Sequence, residues 1–167
     1  PGWVKRMTPI TPRKNQYALR AVFELAKHRG QGPTKISDIA DAQSIPVRFL
    51  EVILNRLKGS GLIDAKRGFY GGYYLTRSPE KITVADIMSF MQAPPKKLVC
   101  AACLAKTRCP HGHRCAFSAM WNRVNRAIRQ VYTETTIQDL LDNDRQLHGK
   151  KPGSRKRPLK TRQGRSL

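Results

Sequence analysis

The sequence predicts a mainly α-helical protein with one small β-hairpin and a long helix towards its C-terminal end. Three observations in the 167 residues carry this prediction. Apolar residues recur at intervals of three and four in several segments, which is the helical period. Two short strand-like runs lie between 62 and 76 around a glycine-bearing connection. A long apolar stripe then follows between 117 and 131, after the segments that could complete a small domain.

The first helix is predicted between 15 and 28. Its apolar side chains fall on one face, namely Ala18, Ala21, Val22 and Leu25. The pattern breaks at HRGQGP, where two glycines and a proline favour a turn. We therefore expect a core helix followed by a turn.

The segment ISDIADAQSIPVRFLEVILNRLKGSGLI predicts two short helices joined by a tight turn. Ser37 is expected to cap the first helix, and Ser44, with Pro46 just inside, to begin the second. Gly59 and Gly61 are expected to end it. Two helices at this separation form the helix-turn-helix pattern, whose second member can lie in the major groove of double-stranded DNA.

The second helix of this pair has two distinct faces. The apolar face is expected to build the core and consists of Leu50, Ile53, Leu54 and Leu57. The other face is free for contact, and its candidate DNA-binding residues are Arg48, Glu51, Asn55 and Lys58.

The strand-like runs 62–66 and 73–76 predict a hairpin. A helix-turn-helix followed by a basic hairpin is the winged-helix order, so Arg67 is expected to reach the adjacent minor groove or the phosphates. Tyr73 and Tyr74 are expected to pack as ordinary strand residues. The sequence thus predicts a winged helix-turn-helix DNA-binding domain.

Three helices are predicted after the hairpin. One starts after Pro79, with Thr83 as its cap, and a short terminal helix is capped by Thr136. Between them, a long helix carries the apolar stripe, formed by Phe117, Met120, Trp121, Val124, Ile128 and Val131. This stripe could pack in a core, but the small domain is already complete, so pairing with a second copy in a homodimer is predicted.

The predicted organisation has five parts. They are a leader at 1–7, the winged-helix DNA-binding domain at 8–92, a cysteine-rich loop at 93–115, the dimerisation helix with the short terminal helix at 116–144, and a disordered basic tail at 145–167.

The chain is strongly basic, with 32 Lys and Arg against 11 Asp and Glu, a formal charge of +21. Nine of the basic residues lie in 145–167, so the remaining 23 still leave residues 1–144 at +12. Such a field favours polyanions, and nucleic acid is the preferred partner over anionic lipid or a merely solvated surface. No apolar run approaches the roughly 20 residues that span a bilayer, so no membrane association is predicted.

All four cysteines lie in CAACLAKTRCPHGHRC, at 100–115, together with two of the four histidines. No secretory signal is recognised, so a cytoplasmic location is predicted, where thiols stay reduced and serve as metal or redox ligands. Cys100 and Cys103 have zinc-knuckle spacing, but no second close pair completes that site. On spacing alone, zinc, an iron-sulfur cluster and a thiol switch all remain open.

The sequence does not favour an enzyme. It has no glycine-rich phosphate loop, no arrangement typical of a nucleophilic triad and no evident carboxylate pair, so no small-molecule substrate is expected. The alternative to a regulator is a basic nucleic-acid-binding protein with a structural zinc site and no sensing role.

Several blocks of the chain, taken together, resemble the Rrf2 family of bacterial transcriptional regulators over about 7–144. These blocks are YALRAVFELA, the helix-turn-helix segment, RGFYGGYYL, ITVADIM and the spaced cysteines. The resemblance implies a homodimeric winged-helix regulator. It also implies an iron-sulfur cluster, because the cysteine-bearing branches of the family carry one.

The resemblance also assigns residues. The three cluster cysteines of the family fall on Cys103, Cys109 and Cys115, and its recognition-helix glutamate falls on Glu51. In the wing, Arg67 and the glycines match the family pattern. Two aromatic residues, Phe69 and Tyr70, replace the family's proline and following glycine.

The fourth cluster ligand of the family does not carry over. One branch places it where this chain has Ser118, and another where it has Gln16. Cys100 ranks first as a substitute, ahead of His111 and His113, because thiolate is the natural ligand of iron-sulfur clusters. With the resemblance, an iron-sulfur cluster, [2Fe-2S] or [4Fe-4S], is preferred over zinc.

Overall fold

The computed structural model describes residues 11–91 and 115–149. Its elements, in chain order, are α1 (Arg13–Lys27), α2 (Ile36–Gln43), α3 (Val47–Lys58), β1 (Ile63–Lys66), β2 (Gly72–Leu75), a 3-10 turn (Pro79–Lys81), α4 (Val84–Met91), α5 (Ala116–Glu134) and α6 (Ile137–Gly149). The mainly helical fold with one antiparallel hairpin is confirmed. No helix in these ranges combines the length and apolar composition needed to cross a bilayer.

Helix α1 forms the centre of the core. Its predicted apolar face is buried, with Ala18, Ala21 and Val22 fully excluded from solvent. The two alanines leave room for neighbouring helices to approach closely, and α2, α3, α4 and α6 all pack against α1. The apolar face predicted for α3 is buried in the same core.

The C-terminal helix belongs to this core as well. Ile137 and Leu141 of α6 are buried among the residues of α1 to α4. Two backbone hydrogen bonds attach the start of α6 beside α4, from the Val84 N–H to the Thr135 carbonyl and from the Ile137 N–H to the Ile82 carbonyl, both at 2.9 Å. Residues grouped by sequence with the dimerisation helix therefore complete the winged-helix domain.

The N-terminal caps of α4 and α6 have the same hydrogen-bond pattern. The Thr83 and Thr136 backbone N–H groups donate to the carboxylates of Asp86 and Asp139, and each threonine hydroxyl accepts from the aspartate N–H in return. This reciprocal capping box confirms Thr83 and Thr136 as caps. Helix α6 then runs to Gly149, five residues into the segment predicted to be a disordered tail. In this extension Arg145 and His148 pair with Asp142 and Asp144 one turn earlier.

The caps predicted for α2 and α3 are wrong. Ser37 lies inside α2 and its hydroxyl donates to the neighbouring Asp38 carboxylate, so it caps nothing. Pro46 stands before the first helical residue rather than just inside. Ser44 ends α2 in a left-handed conformation, with φ 49° and ψ 50°, and thereby makes the tight turn between the two helices.

The hairpin is held to the helices by a third segment. Ile63 pairs with Leu75 and Lys66 with Gly72, and Thr34 exchanges two backbone hydrogen bonds with Tyr73, each 2.8 Å. A Cβ at Gly72 would stand 2.4 Å from the Thr34 carbonyl oxygen. Only glycine permits this close approach, which fixes the base of the hairpin to the loop before α2.

Candidate nucleic-acid interface and cysteine site

Helix α3 presents a polar face to solvent. Four exposed side chains make up this reading face: Arg48, Glu51, Asn55 and Lys58. The division follows from the helical period, because the apolar residues that alternate with them are anchored in the core. The structure therefore brings the four predicted helix residues together on one accessible surface, with hydrogen-bond donors and acceptors suited to base edges and phosphates.

The start of α3 rests on α1 through aromatic side chains. The Phe49 ring meets Tyr17 edge to face, with centroids 5.7 Å apart, and the Arg20 guanidinium lies 6.0 Å from the centroid of Tyr17. Towards the other end, Arg56 donates to the Phe90 carbonyl at 3.4 Å. Contacts at both ends fix the orientation of α3, and with it the reading face.

Sequence reasoning missed Val52 as a surface residue of α3. Its side chain is 70% exposed and adjoins Glu51 in sequence, although valine is usually buried. The signal was available, since Val52 falls outside the spacing of the buried residues. An exposed methyl pair on this helix can contact the C5-methyl group of thymine.

The wing comprises β1, β2 and the connecting residues 67–71. Arg67 is exposed, as predicted for a contact residue, and Lys66 precedes it at the end of β1. Within the described ranges, neither side chain forms an ion pair, and the same holds for Arg48 and Lys58 of the reading face. Four cations are thus available for phosphate without loss of an internal carboxylate partner.

The aromatic wing tip, Phe69 and Tyr70, is the most exposed apolar feature of the wing. The two side chains are 80% and 82% exposed. Their rings meet edge to face with centroids 5.0 Å apart, and the Lys35 ammonium lies 5.3 Å from the centroid of Phe69. Of the strand tyrosines, Tyr73 packs against the core as expected, whereas Tyr74 is partly exposed.

Of the cysteines, the structure describes only Cys115. Its free thiol is half-buried, and the residue is the N-cap of α5. This position places the one described cysteine of the predicted ligand set directly before the first residue of α5. Cys100, Cys103, Cys109, His111 and His113 lie outside the described residues.

The two family positions for a fourth ligand hold side chains with other partners. The Ser118 hydroxyl donates to the Cys115 carbonyl at 2.8 Å, and the Gln16 amide donates to the Thr11 carbonyl at 2.8 Å. Among the residues that the structure describes, no three His, Cys, Asp or Glu side chains gather into a metal site.

Comparison with known proteins identifies the family to which the chain belongs. The Rrf2 family model, described as an iron-dependent transcriptional regulator, matches residues 11–143. The chain belongs to the Rrf2 family. It is accordingly a transcriptional regulator and not an enzyme, and the match begins in the segment before α1 and ends within α6.

Individual Rrf2 relatives cover most of the chain. The regulator IscR of Xenorhabdus nematophila is 31% identical over 155 residues, which are 89% of this chain and 93% of the relative. Among solved structures, CymR, the global cysteine regulator of B. subtilis, superposes with a TM-score of 0.69 at 31% identity, covering 82% of this chain and 98% of CymR. IscR of T. potens gives 0.67 at 27% identity, with 86% and 93% covered.

Proposed function

We propose that this Rrf2 regulator binds operator DNA as a homodimer and that the ligation state of its cysteine segment controls the binding. The observation that carries the DNA-binding part is the reading face of α3, which is anchored in the core on one side and exposed on the other. The adjoining wing adds cations without described acidic partners.

Each residue of the interface has a chemical role in this proposal. Arg48 and Asn55 donate to base edges in the major groove, and Glu51 accepts from the amino group of cytosine. Lys58 neutralises a phosphate at the end of α3, while Arg67 enters the adjacent minor groove. Base contacts provide sequence specificity, and phosphate contacts provide most of the affinity.

The dimer is proposed to form through the apolar stripe of α5. None of the residues of this helix is buried, and Phe117, Met120 and Val131 remain between 46% and 58% exposed. A groove of about 530 Å³ runs along the stripe beside Met120, Val124 and Ala127. A second copy of α5 would cover this surface as helices cover one another in dimeric regulators.

The proposed cofactor is an iron-sulfur cluster held by Cys103, Cys109 and Cys115, with Cys100 as candidate fourth ligand. A bound cluster would allow the protein to respond to redox state, iron supply or nitric oxide. The iron-dependent description of the family supports this choice over zinc. Because Cys115 is the N-cap of α5, a change in its ligation would act at the N-terminus of the helix that is proposed to space the two DNA-reading heads.

The test uses the full chain, purified without oxygen. We expect visible absorption and stoichiometric iron and sulfide, all lost in Cys103→Ala, Cys109→Ala and Cys115→Ala. Stoichiometric zinc without iron or sulfide would contradict the cluster and favour a structural zinc site.

The DNA-binding part has its own test, in which duplexes bound by the protein are selected from a random pool and footprinted. A regulator protects a short site with twofold symmetry, whereas protection without sequence preference would indicate a general nucleic-acid coat.

A further inference from the structure

The aromatic wing tip poses a physical problem that the proposed function does not solve. Two large rings stand 80% and 82% exposed on a connection of five residues, although burying them would be favourable. Nor are they loosely placed, since the rings hold each other edge to face at 5.0 Å. Adjacent exposed rings of this kind form a candidate contact surface for a partner.

The backbone beneath the tip is fixed by glycines. Gly68 has φ 107°, a conformation that side chains rarely adopt. A Cβ at Gly71 would stand 2.3 Å from the Lys66 carbonyl oxygen. The Gly71 N–H closes the turn by donating to the Gly68 carbonyl at 2.9 Å. The turn therefore presents Phe69 and Tyr70 at the end of the wing.

The charge around the rings identifies the partner. Lys35 lies over the Phe69 ring, and Lys66 and Arg67 stand three and two residues before Phe69 in the sequence. Helix α3 packs against β1, so the wing that carries the tip adjoins the helix that carries the reading face. Apolar rings surrounded by cations suit a polyanion with a stacked apolar interior, which is the chemistry of a duplex entered from its minor groove.

We propose that Phe69 and Tyr70 form an aromatic wedge that enters the minor groove beside the reading face, unstacks one base step and bends the DNA. This inference rests on the proposed DNA binding and adds a mechanical role for the wing. Phe69 supplies the apolar ring for the step, and Tyr70 braces it. Selection for easily deformed steps, such as TA or CA, follows at a position that the reading face does not touch.

The experiment measures the shape of the bound DNA. A duplex recovered from the random pool carries 2-aminopurine at successive steps under the wing, and a second copy carries a fluorophore pair at its ends. With wild-type protein, we expect fluorescence to rise several-fold at one step and the ends to approach each other. Phe69→Ala combined with Tyr70→Ala should abolish both signals and weaken binding about tenfold, within the range measured for base–aromatic stacking.

Two matched variants separate the wedge from simpler effects. Leu147→Ala removes an apolar side chain that is 76% exposed on α6, and it should leave bend and affinity unchanged. Arg67→Ala should weaken binding while the 2-aminopurine signal at saturation persists. Circular dichroism of each variant checks that it is folded. We expect all variants to fold, because the replaced side chains are exposed.

The outcomes distinguish this inference from the proposed function. If wild-type protein protects a specific duplex that stays straight and stacked, the wedge is wrong and DNA binding stands. If the double variant bends and unstacks DNA as the wild type does, the exposed rings serve a protein partner instead. If no duplex is bound at all, both proposals fail.

Discussion

Ser44 carries the left-handed turn between α2 and α3 without being glycine. With φ 49° it is the one non-glycine residue with positive φ in the described ranges. Such a conformation is unfavourable for a side chain that has a Cβ. Ser44→Gly should therefore raise the free energy of unfolding by about 0.5 to 1 kcal/mol, measured by urea denaturation. Ser37→Gly, inside α2, should lower it, and equal effects at both positions would refute the argument.

Individual residues of the reading face have separable roles. Arg48→Ala or Asn55→Ala should weaken binding to the selected operator by about 1 to 3 kcal/mol and binding to random DNA much less. Fluorescence anisotropy with both duplexes measures the two affinities. Arg145→Ala removes an exposed cation from α6 and serves as the control for charge. An equal loss of affinity for operator and random DNA would indicate that Arg48 and Asn55 contact phosphates and do not read bases.

Most of the reading face could be predicted from the sequence because it depends on one local rule. Helical spacing alone separates Leu50 and Leu54 from Arg48 and Asn55, whatever the neighbouring helices are. Val52 was not predicted as a surface residue, because valine is usually buried, whereas its position on the helix determines that it is exposed. The aromatic wing tip was visible in the sequence as a departure from the family pattern, but its exposure depends on the geometry of the turn.

At the scale of elements, the cap of α6 makes stability depend on pH. The pKa of Asp139 is lowered by the hydrogen bond from the Thr136 backbone N–H and then by the Thr136 hydroxyl. A carboxylate with a lowered folded-state pKa stabilises the fold above its ordinary value of 3.8, and this contribution disappears as the pH falls through the lowered pKa.

Asp139→Asn should therefore lower the thermal midpoint at pH 7, and the difference from wild type should shrink as the pH is reduced below 3.8. Thermal denaturation followed by circular dichroism across this pH range measures the effect. Asp142→Asn changes a carboxylate of the same helix that bonds the side chains of Gln138 and Arg145 instead. A constant difference at every pH would show that the Asp139 charge is not the cause.

Element types were easier to predict than element ends. The hairpin and the helices follow from periodicity, and the predicted caps Thr83 and Thr136 are each completed by an aspartate three residues later. Ser37 and Ser44 offered the same residue type without that partner, and backbone geometry assigned them other positions. The place of α6 in the core depends on long-range contacts that no local pattern encodes.

At the scale of the whole molecule, the proposed dimer depends on the apolar stripe of α5. Met120→Glu or Val131→Glu should convert the proposed dimer to a monomer, because a charge would be buried between two helices. Asn122→Glu adds the same charge at an exposed position about 200° around the helix from Met120 and should leave the dimer intact. Sedimentation velocity distinguishes these results, and monomeric wild-type protein would contradict the proposed dimer.

The return of α6 to the core has a consequence for biosynthesis. Ile137 and Leu141 fill the centre of the domain, yet they are made after all four cysteines. A ribosome therefore releases the entire cysteine segment while the domain still lacks two of its central side chains. For the proposed cluster, this order means that its cysteine ligands leave the ribosome before the domain can close, so the ligands are accessible to metal and sulfur donors before folding is complete.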